Sequence, residues 1–256
     1  TAVGYNAGAS VTTGTSNTAV GALALDGATT ATHNTALGYN SMSAATTGSY
    51  NTAVGSGVLT LHTTGASNTA VGYGAMADLT TGGNNTALGQ DALANITTTA
   101  GNTAIGKATL VASVTGTDNT ALGYLALTAC LDGGSNVAVG VSALDANTAG
   151  SSNCGIGLNA AGGVTTGNNN IGIGNGVFVE DVVLTTGAQN IIIGNFSRTD
   201  ADDSTYAIGL GYDITAASGY TTLGQQTTDI RAAHGTATWA TVSDQRYKKD
   251  IVDSTA

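Results

Sequence analysis

Aliphatic side chains recur along this chain at one interval. Val3, Val20, Leu37, Val54, Val71, Leu88, Ile105, Leu122, Val139, Ile156 and Ile173 are each seventeen residues apart, and a second series, Leu25, Met42, Leu59, Met76, Leu93, Leu110, Leu127 and Leu144, keeps the same spacing. An asparagine opens the repeat at Asn17, Asn34, Asn51, Asn68, Asn85, Asn102, Asn119, Asn136, Asn153 and Asn170, and a glycine closes the pentapeptide it begins, as in Asn17-Thr-Ala-Val-Gly21. A fixed short period marks a repeat architecture whose units cannot bury their apolar side chains alone. Seventeen residues are too few for a helix-bearing turn. Thr, Val and Ile favour strands and glycines at fixed offsets mark corners, so the pattern predicts an all-β, parallel β-solenoid with two short strands per turn.

Side chains alternate across a strand, so Thr18 and Val20 share one face while Ala19 and Gly21 share the other. The aliphatic column through Val20 is expected to be core. Val137, Cys154 and Ile171 replace Thr in its companion column, which fits burial too. The opposite column is Ala from Ala2 to Ala138 and then Gly155 and Gly172. Such uniform smallness is expected where another backbone approaches closely, which implies that neighbouring chains cover that face and that the protein is an oligomer. After Gly174 the spacing breaks, and Gly194, Gly209 and Gly224 are read as the equivalent glycines.

These observations divide the chain into a regular solenoid (1–174), irregular terminal repeats (175–224), a transition or neck (225–242) and a distinct C-terminal segment (243–256). Thr1-Ala2-Val3-Gly4 is already in phase, so the expectation is a piece of something longer.

Composition narrows the classes. Among 256 residues there are 38 Gly, no Pro and 41% hydrophobic residues, mostly small, which describes a thin packed interior rather than a globular core or a disordered chain. The net charge is −10, and Lys107 is the only basic residue before Arg198. With no basic stripe to neutralise phosphates, nucleic-acid binding is not expected. No apolar run has the length of a membrane span, so no membrane insertion is expected either. Cys130 and Cys154 stand in different phases two turns apart, too far for a disulfide within the chain.

Candidate chemistry is sparse. The Asn column has no carboxylate in register, as a calcium solenoid would, so it reads as a structural ladder of stacked amides rather than a metal site. His33, His62 and His234 lie in unrelated phases, and Glu180 is the only Glu. No constellation for catalysis on an external substrate converges, and no cofactor is expected. Asp200, Asp202 and Asp203 read as a solvated loop.

The repeat, in Asn17-Thr-Ala-Val-Gly21 and Thr46-Thr-Gly-Ser-Tyr-Asn51, resembles the head repeats of trimeric adhesins and the arrays of phage tail-fibre proteins over about residues 1 to 224. The resemblance implies a left-handed β-roll and a homotrimer. Ser243-Asp-Gln-Arg-Tyr-Lys248-Lys-Asp-Ile251 is similar to the start of the intramolecular chaperone domain of endosialidase-type tailspikes. In that family a Ser and a Lys five residues later cut the chain just before the Ser. Ser243 and Lys248 match that spacing, which implies single-turnover self-cleavage; a plain charged tail is the alternative.

The function expected is thus structural: the rigid shaft of a homotrimeric phage tail fibre or similar appendage for host attachment, located on the virion tail and meeting an unknown host-surface receptor such as a glycan. A bacterial surface adhesin is the alternative. An ice-binding solenoid is a minor one, since its Thr pairs, such as Thr46-Thr47, are adjacent and point to opposite faces rather than forming a Thr-x-Thr array.

Overall fold

The computed structural model describes residues 1–113, 115–179, 183–235 and 240–241. It is a parallel β-solenoid with one short strand per turn. The strands run from Ala2–Val3 and Thr18–Val20 to Ile191–Ile193, Ile208–Tyr212 and Tyr220–Gln225, and belong to a 16-stranded sheet. Fourteen of its strands are parallel neighbours; the last two, Ile230–Ala233 and Ala240–Thr241, are antiparallel and end the stack. Pairing is in register by repeat, with Ala53 opposite Ala70 and Ala70 opposite Ala87.

The two strands per turn expected from the period are therefore one in the regular turns, a second pair, Arg198–Thr199 with Thr215–Ala216, forming near the C-terminal end. The rest of each turn bonds to its neighbours through isolated backbone contacts, such as Leu25 N to Ser41 O at 2.9 Å and Thr46 N to Thr63 O at 3.1 Å. Closely spaced reversals of φ keep this segment from becoming a strand. Asn40 and Met42 are both left-handed, at φ 55 and 52, with only Ser41 between them.

That conformation explains the second aliphatic column. From Leu25 to Leu144 its side chains are fully buried yet sit at φ between 49 and 55, a region that costs an L-residue roughly 1–2 kcal/mol. Burial of a Leu or Met returns about as much or more. A β-branched residue is a worse outlier there, and the column holds Leu, Met, Ala and Phe with no Val, Ile or Thr from Leu25 to Phe178.

The glycine column is set by the stacking distance. Gly72 lies at φ 128, and a Cβ there would fall under 3.0 Å from the backbone of Gly89 in the next turn. The series runs through Gly174 to Gly194, then Gly211 and Gly224, because Gly211 pairs with Gly224 and stacks on Gly194. Gly209, read as the equivalent from sequence, instead continues the Ala column opposite Ile192. Among the described turns one is three residues longer, its excess lying between Phe178 and Thr185; one interval of seventeen follows, from Ile191 to Ile208, and the next, from Ile208 to Thr221, is thirteen.

The core lies within each chain's own roll. Ala19, Ala24, Leu25 and Ala28 fill one turn, and their counterparts fill the next. Towards the C-terminal end the side chains are larger, and Phe178 enters the core against Gly172, where a Cβ would stand 3.1 Å from its ring.

Two substitutions separate glycines required by stacking from glycines that are merely permitted. Gly72→Ala is expected to lower the thermal unfolding midpoint, at a cost of more than about 2 kcal/mol. Gly57→Asn is expected to be near neutral, because Asn40 already occupies the same place at φ 55. Circular dichroism melts of the two variants check the contrast; equal effects would contradict it.

Candidate functional site

The structure reverses the two faces expected of each strand. Ala19 to Ala138 point into the roll and are buried, while the aliphatic column through Val20 points outward. Leu37 is 46% exposed and Leu88 48%. The companion column is outward as well: Val137 is 37% exposed and Cys154 and Ile171 are half-buried. Uniform Ala is thus required by the chain's own far wall, since the Leu25 column occupies most of a narrow interior and leaves the strand side only a methyl's depth. Alternation settles which columns share a face; here the larger of two apolar candidates for the interior won, and the Val20 column was left outside.

The result is a flat outward sheet face two columns wide. One column is Thr from Thr18 to Thr120 and then Val137, Cys154, Ile171, Ile191 and Ile208; the other is aliphatic from Val3 to Leu210. Neither contains a charged residue. The position just after each glycine flanks this face; it carries the exposed Tyr5, Tyr39, Tyr73, Tyr124, Val141 and Leu158, and polar side chains at Ser56, Gln90, Lys107, Asn175 and Asn195. At about 4.8 Å per strand the face is roughly 60 Å long, and at about 10 Å of width it offers on the order of 600 Å². That is at the upper end of the largest apolar patch on a typical monomer.

The Asn column is the ladder the sequence implies. Asn68 N donates to Asn51 Oδ1 at 2.9 Å, and its Nδ2 donates to Gly82 O at 2.9 Å and to Asn51 Oδ1 at 3.1 Å. Each amide therefore ties its own turn to the one before it and closes the corner fourteen residues on. Both ends of the side chain are engaged, which leaves the column no free group to offer a ligand. Asn190 extends the ladder, accepting from Ala207 N and donating to Ser204 O. Its twenty-residue offset from Asn170 hides it from a strict period, although Asn190-Ile-Ile-Ile-Gly194 keeps the pentapeptide pattern.

The remaining candidates do not converge. His33 stacks on Tyr50 with ring centroids 5.0 Å apart at a corner, His62 is buried in the core, and exposed His234 reaches Thr221 Oγ1 at 3.3 Å. Asp200 accepts from Ser204 Oγ and Ser218 N within its own loop. Arg198 bridges Asp213 at 2.9 Å near the C-terminal end of the stack. Cys130 and Cys154 are free thiols, Cys130 buried with its Sγ 3.2 Å from Gly133 O. Among the described residues no group of three or more His, Cys, Asp or Glu is placed to hold a metal ion, and no helix is long and apolar enough to cross a membrane. Ser243 and Lys248, like Trp239 and Glu180, lie outside the described residues. Compared with protein-family models, curated proteins and solved structures, the chain matches none.

His62 was not singled out by its phase, yet it is the titratable group most altered by the fold. It occupies the core column that holds Ala45 one turn earlier and Leu79 one turn later, and fits because Gly48 and Gly65 carry no side chain where the ring lies. Neither ring nitrogen has a hydrogen-bond partner. Burial pushes its pKa down to about 4, with a backbone group of Gly65 opposing.

The folded chain therefore keeps His62 neutral, whereas the unfolded chain binds a proton below about pH 6.5. Stability must then fall as pH drops from about 6.5 to about 4, by up to about 3 kcal/mol from this group. His62→Leu, which copies Leu79, is expected to remove that part of the acid sensitivity. Melting both proteins at pH 7.5 and pH 4.5 tests it: the stabilisation by Leu should grow at the lower pH, and a gap that does not change with pH would refute the assignment.

Proposed function

We propose that the chain is a rigid shaft segment of a homotrimeric fibre of the phage tail-fibre kind, holding a host-attachment tip away from its anchor. The observation that carries this reading is the uncharged aliphatic face running the length of the rod. A periodic apolar strip with one side chain every 4.8 Å or so is matched best by a surface of the same period, and a second copy of the chain supplies one. An area on the order of 600 Å² approaches the ~800 Å² per partner of a standard interface. Three such faces around a common axis would cover one another, which is the arrangement the resemblance implies.

Stiffness supports the same reading. The strand ladder and the Asn ladder run from turn to turn, and Thr hydroxyl bonds, such as Thr46 Oγ1 to Thr63 O at 3.1 Å, add to them over part of the stack. A load along the axis is shared among them all. The Ser243 and Lys248 segment, read as the start of a chaperone domain, would align the chains and then leave by cleavage. A bacterial trimeric adhesin shares the shaft and differs in its anchor.

One observation favours a second reading. Thr18 and Val20 columns lie side by side on one flat outward face, so the adjacent Thr46-Thr47 pairs are not the relevant array, and a Thr-and-aliphatic lattice could order water as an ice-binding face does. Thermal hysteresis in the monomeric protein would favour it over the fibre.

Light scattering is the direct test: three times the 24.9 kDa chain mass is expected. Mild oxidation should then link Cys154 to Cys154 between copies and spare buried Cys130, and Cys154→Ser should abolish the link. A stable monomer would end the fibre reading. In the full-length gene product, Ser243→Ala is expected to prevent cleavage before residue 243; a mass unaffected by that change removes the dyad.

A further inference from the structure

The outward face is not uniform along the rod. From Thr18 on, its first column is Thr at seven consecutive turns, ending at Thr120, then Val, Cys or Ile at the next five, from Val137 to Ile208, and Thr again at Thr221 opposite Ile208. The second column stays aliphatic throughout, and the flanking position carries Val141 and Leu158 in the first two of these five turns and Asn175, Asn195 and Tyr212 in the other three. In these five turns both columns of the face are therefore apolar. In the seven turns before them, every strand also presents a hydroxyl, which keeps a hydrogen-bond partner or loses free energy when dried.

We propose that copies of this chain associate through these five C-terminal turns, with the Thr-lined turns following as a wetter extension. This rests on the fibre reading above and names the part of the face that drives it. The occupant is a second copy. The five turns alone amount to roughly 250 Å², within the range of unremarkable monomer patches, and only their continuation along the whole face reaches the order of a stable interface. A partner lacking the same period would match a few strands and then fall out of step, whereas a copy matches all of them.

The same boundary chooses the axial register. A uniform column lets one copy slide by a whole turn at the cost of end contacts alone. Here a slide of one turn brings the Thr120 hydroxyl against the apolar patch, and each further turn brings another. The step between Thr120 and Val137 thus sets the register from within the repeats, which otherwise would need an outside aligner.

The experiment uses the full chain and sedimentation velocity across concentration. Ile156→Lys and Ile193→Lys, both outward, are expected to raise the dissociation constant by more than about 30-fold, the effect of losing an interface hot spot. Leu37→Lys and Leu88→Lys, at the matching positions of the Thr-lined turns, are expected to raise it less than about 10-fold. Circular dichroism confirms that each variant keeps the roll. Should a lysine disturb folding, the double variant Ile171→Thr with Ile191→Thr gives those turns the side chain that seven other turns carry, and the same weakening is expected. A native chain that oligomerises but is weakened equally at all four lysine positions leaves the fibre reading standing and overturns this one. A native chain that stays monomeric sinks both.

Discussion

Every position in this protein meets a copy of itself about one strand spacing away, and that constraint decides which residues the chain can use. A side chain must tolerate its neighbour of the same type above and below. Gly72 has no room for a Cβ because Gly89 brings its carbonyl to the same place, and Gly89 is held likewise by Gly106. Asn68 succeeds for the opposite reason: an amide is donor and acceptor at once, so a column of them bonds head to tail without leaving a group unpaired. A column of carboxylates so stacked would repel itself, and one of hydroxyls could not reach the far corner.

The narrowness of the roll follows from the same stacking and dictates what is left outside. One large side chain per turn, on the wall opposite the strand, nearly closes the interior, and the strand can contribute only Ala or Gly. Where the filler grows, the strand yields: Phe178 is accommodated by Gly172, where a Cβ would stand 3.1 Å from the ring. The aliphatic residues of the strand then have no inside to enter. Their persistence in an outward column, without one charged substitution, is the strongest link between this fold and association with its own kind.

Much of this was legible in the sequence. The seventeen-residue period located the turns, the corners and the Asn ladder, because identical spacing leaves stacking as the only arrangement that puts like on like. What period alone could not decide is which side of a strand is the interior. Thr18-Ala19-Val20 is consistent with either polarity, and the usual preference for burying Val over Ala pointed the wrong way. The deciding fact was a distance across the roll, from the Leu25 column to the strand, and no local pattern encodes it. The number of strands per turn failed for a related reason: Leu at φ 54 is not what apolar residues ordinarily adopt, so the segment around Leu23 and Leu25 read as a strand. The absence of β-branched residues there was the available clue. Asn190 was missed because a turn with three extra residues shifts the phase without changing the pattern, and Gly211 because the turn that leads from it to Gly224 is four residues short.

A one-dimensional stack is only as cooperative as its turn-to-turn contacts, and these are not equal along the chain. One core column carries His62, Ser113, Cys130 and Asn147 among its apolar residues, and neither His62 nor the Asn147 side chain finds a partner. Those turns couple to their neighbours less strongly than turns filled by Leu or Ile. Beyond Val164 the described core holds Val177, Phe178, Leu184 and Ile192, all fully buried. These turns are thus filled by larger side chains inside, and from Val137 to Ile208 both outward columns are apolar. If copies associate as proposed, the turns with the larger core side chains are also those with most to gain from meeting a copy. On that proposal each earlier turn would add its Thr and aliphatic pair to a template already in register, and cooperativity would not rest on the core of a single roll alone.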